Sequence, residues 1–518
     1  IQIADITGPL GVSFLLVLSN GALFDVLHAI GRAKPGRRLR AFLGTPLLAV
    51  GTIVLCLAYG TVRIHQVDEA RTRAEKLRVG VVQANVGIHE KFVPGLREQQ
   101  HALHLSLSQQ LSSQGADLIL WPESSYPYAM PRPVPGDWPV GDRRKVQSGF
   151  QTPIVFGALT VDRKGAGDYD MFNTAIMLDK EGKAVGTFDK NFLLIFGEYL
   201  PFAHELDFLR RAIPEISNFS RGTETTTFPI DVRGKRYSLG PMICYEDIIP
   251  AFGRRLFADK NPPNLMVNIT NDAWFGATSE PYEHLALAVF RAVEHRVELV
   301  RAVNTGVSAF VDAAGRIYEK GPSVDPQLQP DAKPVTLIAD MALLPPGGLF
   351  QRIGETFGFL CLCAVMLLGA LSRQRAGAPL RFGLLVGGSA VLHGSVLVGG
   401  LLFPSGVSAL YAVLLHRGEN ALPEALVFAA SWQLLLMLSI AALGLGIYCG
   451  RKPSKRPPTM ELIGAVCATT VLPVTLLGRM EGNTGAVVIV SGLTVVVALL
   501  ARRLGAKLRR GNAQVQPS

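Results

Sequence analysis

Long apolar runs alternate with short basic clusters along this chain, and a more polar stretch of about 270 residues interrupts them. A helix needs about 20 apolar residues, each rising about 1.5 Å, to cross the hydrocarbon of a bilayer. Runs of that length lie at 9–30, 41–60, 353–372, 382–403, 424–449, 461–478 and 484–501, and each predicts a membrane span. The segment 404–423, with Pro404 and Gly406, predicts an outside loop or a re-entrant turn. The organisation expected is two spans within 1–60, an extramembrane domain over 77–345 and a span within 350–372. About four further spans across 380–503 and a basic tail over 504–518 would complete it.

Inside the polar stretch the period changes. Short Val/Ile-rich runs at 77–85, 117–123, 153–161, 173–179, 238–244, 264–270 and 302–311 predict strands. Helical patterns at 96–111, 250–259 and 282–298 lie between them. Strands alternating with helices predict a layered α/β fold, so the fold class expected is a transmembrane helical bundle plus an α/β extramembrane domain. The Pro-rich segment 124–139 and the aromatic-rich segment 195–221 break the pattern; both follow strands and have the character of lids or surface loops.

Composition sharpens this picture. The chain of 518 residues is 48% hydrophobic and 18% charged, which excludes intrinsic disorder and a wholly soluble protein. The net charge of +10 gathers at 32–40, 373–381, 451–456 and 502–510, between the apolar runs. Threading the spans alternately places every cluster on the cytoplasmic side and the 77–345 stretch outside. That distribution argues against nucleic-acid binding. The chain opens on Ile1 without a basic segment before its first apolar run, which is not the pattern of a secretory signal. The expectation is that the numbering starts inside a longer protein. Five of the six cysteines lie in apolar runs, where a thiol is ordinarily inert; Cys244 does not.

Three reactive side chains close strand-like runs. Glu123 ends Leu-Trp-Pro-Glu, Lys190 ends Thr-Phe-Asp-Lys, and Cys244 ends Pro-Met-Ile-Cys ahead of a helical pattern. Catalytic groups often stand at the carboxyl ends of strands in α/β folds. A glutamate can take a thiol proton, and a lysine can favour the thiolate. Each residue alone is more often an inert or solvated boundary residue. His101 and His104 share a helix without a partner cluster, which reads as a surface helix and not a metal site. Asn268-Ile-Thr has the form of a glycosylation sequon but falls in a strand-like run expected to be buried.

The surrounding motifs carry the constellation. They are Val-Val-Gln-Ala-Asn at 81–85, Leu-Trp-Pro-Glu-Ser at 120–124, Phe-Asp-Lys at 188–190 and Phe-Gly-Glu-Tyr-Leu-Pro at 196–201. Ile-Cys-Tyr-Glu at 243–246, Asn-Ile-Thr-Asn-Asp-Ala-Trp-Phe-Gly at 268–276, Pro-Tyr-Glu-His at 281–284 and Arg-Ala-Val-Asn-Thr-Gly at 301–306 follow in order. The sequence over about residues 1–372 resembles the nitrilase superfamily and, within it, the apolipoprotein N-acyltransferase family. Phe192, Ile195 and Phe92 stand where that family has histidine, proline and tryptophan. The family's first helices have no counterpart here, and the spans beyond about 380 match none of its motifs.

The resemblance implies a nitrilase-like α-β-β-α sandwich on a membrane bundle, in the bacterial inner membrane with the catalytic domain on the periplasmic side. It implies a catalytic triad: Glu123 as general base, Lys190 as oxyanion stabiliser and Cys244 as nucleophile. Glu198, Tyr245 and Glu246 would support it. The reaction implied moves an acyl chain from a phospholipid through a Cys244 thioester to the N-terminal amine of a diacylated apolipoprotein. It would use no cofactor or metal, and a monomer is expected. Drawing a ~15-carbon chain into water costs about 12 kcal/mol, so a site at the bilayer surface suits two lipid substrates. The rivals are a membrane-tethered amidase of the same superfamily, with water as acceptor, and a non-enzymatic transporter or scaffold.

Overall fold

The computed structural model describes residues 1–32, 44–91, 93–165, 168–194, 197–198, 219–276, 278–324, 329, 332–361 and 364. The chain divides into two units, Ile1–Glu355 and Thr356–Ser518. The apolar runs at 382–403, 424–449, 461–478 and 484–501, the loop 404–423 and the tail lie outside the described residues. So do half of 353–372 and most of the 195–221 segment.

The first unit opens with α1 (Ala4–Thr7), α2 (Pro9–Arg32) and α3 (Thr45–Arg73). Helix α2 has 24 residues and α3 has 29, about 36 and 44 Å of helix. Leu16, Val17, Phe24 and Leu27 of α2 and Leu48, Leu55 and Leu57 of α3 point outward and form an exposed apolar surface. The apolar run of α3 stops near residue 60, but the helix does not. Its last turns dock on the α/β layers: Val67 packs with Ala313, Ala314 and Leu344, and Arg71 Nε pairs with Glu298 at 2.5 Å. Asp5, buried at the foot of α1, accepts hydrogen bonds from Tyr59 and Arg63 of α3 and from Arg296, each at 2.9 Å. This charged knot joins the apolar hairpin to the layers.

The layers follow as β1 (Lys76–Gln83), α4 (Ile88–Lys91), α5 (Arg97–Ser113), β2 (Leu118–Leu120), β3 (Met130–Pro131), β4 (Ile154–Gly165), β5 (Asp168–Leu178) and β6 (Ala184–Asp189). Then come β7 (Phe228–Val232), β8 (Lys235–Ile243), α6 (Pro250–Phe257), β9 (Leu265–Thr270), α7 (Glu280–His295), β10 (Glu298–Val303), β11 (Ala309–Val311), β12 (Ile317–Lys320), β13 (Val335–Ala342) and α8 (Phe350–Ile353). One sheet runs β13-β1-β2-β4-β5-β6, with β3 beside β4, and the other runs β12-β11-β10-β9-β8-β7. The β1-β2-β4 and β8-β9-β10 cores are parallel.

Strand alternation explains the sandwich. Leu118 and Leu120 of β2 enter the core between the sheets, with Val79, Val81, Leu239 and Met242. Ile119 and Trp121 face the other way, onto Leu107 and Leu111 of α5. Leu256 of α6 and Ala288 and Ala292 of α7 cover the second sheet. The α-β-β-α layering expected from the motifs is therefore present.

Three local expectations change. The run at 302–311 is two antiparallel strands, because Gly306 at φ +107° turns the chain between β10 and β11. The helix expected over 282–298 ends at His295, where Arg296 takes a left-handed conformation (φ +56°) and the chain enters β10. His101 and His104 are not on a surface: both are buried, with His104 Nδ1 2.8 Å from the Gln100 carbonyl and its ring 5.1 Å from Trp121. Asn268 is fully buried, as its motif suggested.

Candidate active site

The carboxyl ends of β2, β6 and β8 converge on one edge of the sandwich, and they carry Glu123, Lys190 and Cys244. The backbone bends sharply at two of them. Ser124, directly after Glu123, sits at φ +48°, and Cys244 itself at φ +52°. A residue with a side chain adopts this region only at a cost of about 1–2 kcal/mol. Such strain persists where the surroundings impose it, commonly at a functional turn. Cys244 leaves β8 through that turn into the short 3-10 helix Cys244–Ile248, and its carbonyl is held by Asn268 Nδ2 at 3.1 Å.

Lys190 is the hub. Its Nζ donates to Glu123 Oε1 at 3.0 Å and to Glu198 Oε1 at 2.9 Å. Asn173 Nδ2 from the neighbouring strand β5 bridges the same two oxygens, at 2.7 and 3.1 Å. Burial alone would push Lys190 down, but the charges of Glu123, Cys244 and Glu198 overturn this and hold it well above the usual lysine range. Burial also pushes the Cys244 thiol up; the Glu123 charge raises it further while Lys190 opposes both. Cys244 is thus held as a thiol, and its ionisation would require a base that accepts its proton.

Glu246 locks two of the three strand ends together. It is fully buried, and its carboxylate accepts the main-chain N–H of Ile243 at 2.8 Å, of Asn191 at 2.6 Å and of Phe192 at 3.1 Å. Burial raises its carboxyl to about 7 against the pull of those donors. The segment after Lys190 is therefore clamped to the turn that carries Cys244. Tyr245, next to Cys244, is 44% exposed. Behind the turn, His284 Nε2 meets Asp247 at 3.0 Å and Nδ1 meets Asp272 at 3.1 Å. Asp272, Glu280 and His284 place ligand atoms within 4.8 Å of one another. Both ring nitrogens already face carboxylates, however, and the neighbouring aspartates overcome burial to raise His284 to about 9. The geometry is that of a brace, a histidine held between two aspartates with Arg301 beside them.

The remaining motifs are staples for the same edge. Asn304 Nδ2 donates to the Val86 carbonyl at 2.7 Å and to Asn271 Oδ1 at 3.0 Å, joining the ends of β1, β9 and β10. Three contributors were not singled out from the sequence. Asn173 lies mid-strand and carries no local signal. Lys91 of α4 is visible only as a lysine just past the carboxyl end of β1; its Nζ donates to the Glu123 carbonyl at 2.9 Å. Gly157 of β4 backs the Glu123 turn: a Cβ there would lie 2.5 Å from Ser124 N and 2.7 Å from Glu123 Cα. Gly157→Ala is therefore expected to displace Glu123, lowering turnover at least about tenfold with an overpacking cost of about 1–3 kcal/mol. Activity and thermal unfolding of one preparation check this, and unchanged activity would contradict it. Phe192, one of the departures from the family pattern, packs edge-on against Phe252 at 5.8 Å; Phe92 and Ile195 lie outside the described residues.

Comparison with known proteins places this arrangement. Residues 78–341 match the carbon–nitrogen hydrolase family. An apolipoprotein N-acyltransferase of Geobacter metallireducens is 32% identical over 377 residues, covering 72% of this chain and 67% of that protein. The chain belongs to the apolipoprotein N-acyltransferase family. A second member, from Bdellovibrio bacteriovorus, is 36% identical over 257 residues, 47% of this chain and 46% of that protein. The chain thus spans about half to two thirds of the length of these family members. A solved nitrilase-superfamily structure from Saccharomyces cerevisiae is 18% identical, with a TM-score of 0.37 over 58% of this chain and 97% of that one.

Proposed function

We propose that this chain moves an acyl group from a phospholipid to the N-terminal amine of a diacylglyceryl-cysteine lipoprotein, with Cys244 as carrier. The observation that supports this most is the buried Glu123–Lys190 hydrogen bond at 3.0 Å, whose two charges act on the Cys244 thiol in a chain of the N-acyltransferase family. Glu123 takes the thiol proton, and the thiolate attacks the ester carbonyl. Lys190 and the main-chain N–H of Tyr245 stabilise the oxyanion. Collapse expels the lyso-phospholipid, which takes the proton from Glu123, and leaves a thioester on Cys244. The acceptor amine then attacks this thioester. Glu123 removes a proton from the nitrogen and returns it to the departing thiolate, so the cycle closes with the triad restored. Glu198 fixes Lys190, Glu246 fixes the Cys244 turn, and Tyr245 lines the entrance. No cofactor or metal enters this scheme.

The apolar helices complete the reading. Helices α2 and α3 each exceed the ~30 Å hydrocarbon thickness and carry exposed apolar side chains. With the basic clusters on the cytoplasmic side, the chain would be a multi-pass inner-membrane protein whose α/β layers face the periplasm. Lipid donor and acceptor then reach the site from the outer leaflet, and the protein acts as a monomer. The test is incubation of the membrane-reconstituted protein with phospholipid and a diacylated lipopeptide, followed by mass spectrometry. A triacylated peptide is expected. Release of free fatty acid or ammonia without that product would favour an amidase instead.

A further inference from the structure

We propose that Lys91 is a second cationic group of the Cys244 site, one that aims Glu123 and favours the thiolate alongside Lys190. This rests on Cys244 being the nucleophile, as proposed above, and extends the site by one positioning residue.

The argument begins with an ammonium that packing does not require. Lys91 is 9% exposed, yet among the described residues no carboxylate lies within ion-pair distance of it. A buried charge without an ionic partner is costly, and methionine would fill the same space without that cost. What Lys91 does hold is main chain: its Nζ donates to the Glu123 carbonyl at 2.9 Å. That carbonyl directly precedes the left-handed Ser124, so the bond fixes the turn from which the Glu123 carboxylate is presented. An ammonium has three N–H groups, and this bond engages one.

The charged groups that act on Lys91 come from three strand ends. Glu123 at the end of β2 and Cys244 after β8 favour its charge; Lys190 at the end of β6 opposes it. His104 of α5 also feels Lys91, but burial first, helped by His101 and Lys91, drives it to about 4, so it is neutral. Burial brings Lys91 itself down to about 8. Below that pH it is charged and stabilises a thiolate or an oxyanion; above it the charge is lost. Lys190, ion-paired to two carboxylates, stays charged throughout. The site thus has one permanent and one titrating cation.

Alkylation of the Cys244 thiol reads this without any lipid. The full chain in detergent is treated with iodoacetamide from about pH 6 to about pH 10, and the peptide carrying Cys244 is followed by mass spectrometry. In the unmodified protein the rate should bend to a shallower rise above about pH 8 as Lys91 discharges. Lys91→Met should react about tenfold more slowly near pH 6–7, where an opposite charge shifts a thiol by about one unit or more, and should converge on the unmodified protein at high pH. Lys91→Arg, always charged, should keep the fast rate and lose the bend. A Lys91→Met profile identical to the parent at every pH would overturn the proposal. So would a uniform offset at every pH, which marks a structural lesion. If Lys91→Met does not yield folded protein, a bend that persists in Lys91→Arg overturns it equally. A protein with the expected profiles that forms no acyl adduct with phospholipid would defeat the acyltransferase reading and leave Lys91 in place.

Discussion

Cys244→Ala is expected to lose N-acylation by at least about a thousandfold, together with any acyl adduct formed from phospholipid alone. Among the described residues Cys244 is the thiol lying under the charges of both Glu123 and Lys190. In the proposed mechanism, removing the sulfur removes the atom that carries the acyl group between two half-reactions, so neither can proceed. Cys244→Ser should also fail to turn over. Its hydroxyl is a poorer nucleophile, and an oxygen ester is a weaker acyl donor to an amine than a thioester. The fold should survive both changes. Cys244 is only half-buried, and losing one sulfur costs about 1 kcal/mol or less where the site can relax. The two effects separate in one preparation: a thermal transition close to the parent, and no mass increase of an acyl chain on the 244 peptide. Retained product formation by Cys244→Ala would place the acyl carrier elsewhere.

How much of this could be read from the chain depends on the range of the interaction. Continuous apolar runs such as Leu-Ile-Leu-Trp at 118–121, buried on both faces, mark a strand locally, so β2 was legible. The reactive ends were legible because each breaks an apolar run with an ionisable group. The edge strand β13, beyond β1, is the exception: it is apolar but does not alternate cleanly, mixing buried, half-exposed and exposed positions, and its place is set by pairing with β1. The turn at Gly306 does carry a local signal, Asn-Thr-Gly at 304–306, which interrupts the apolar residues between β10 and β11. His101 and His104 were misread because their burial comes from Trp121 and Tyr126, aromatic residues supplied by a different segment. Lys91 and Asn173 join the site only through the sheet order, which brings β1, β2 and β5 to one edge.

Lys190→Met should be the most damaging change to both stability and chemistry, and its two effects should respond differently to a second substitution. Lys190 Nζ is nearly inaccessible, between Glu123 at 3.0 Å and Glu198 at 2.9 Å. Removing one partner of such a buried group typically costs about 3–5 kcal/mol, because the remaining charges lose their compensation. Here two carboxylates would be left sharing the amide of Asn173, with the Leu194 main-chain N–H as a further donor to Glu198 Oε2 at 2.8 Å. Like charges so close cannot both stay ionised, so one carboxyl of the folded variant should hold a proton near neutral pH. The folded variant then binds more protons than its unfolded chain, and its stability should fall as pH rises from about 5 to about 8. The parent, whose lysine stays charged, should change less over that window. Lys190→Met combined with Glu198→Gln should recover much of the lost stability, since one carboxylate no longer opposes the other. It should recover no acyl transfer if, as proposed, Lys190 is the cation that stabilises the oxyanion. Thermal unfolding across pH and the lipopeptide assay measure the two readouts separately. Full activity in the double variant would remove Lys190 from the chemistry and leave it as a structural pin between two carboxylates.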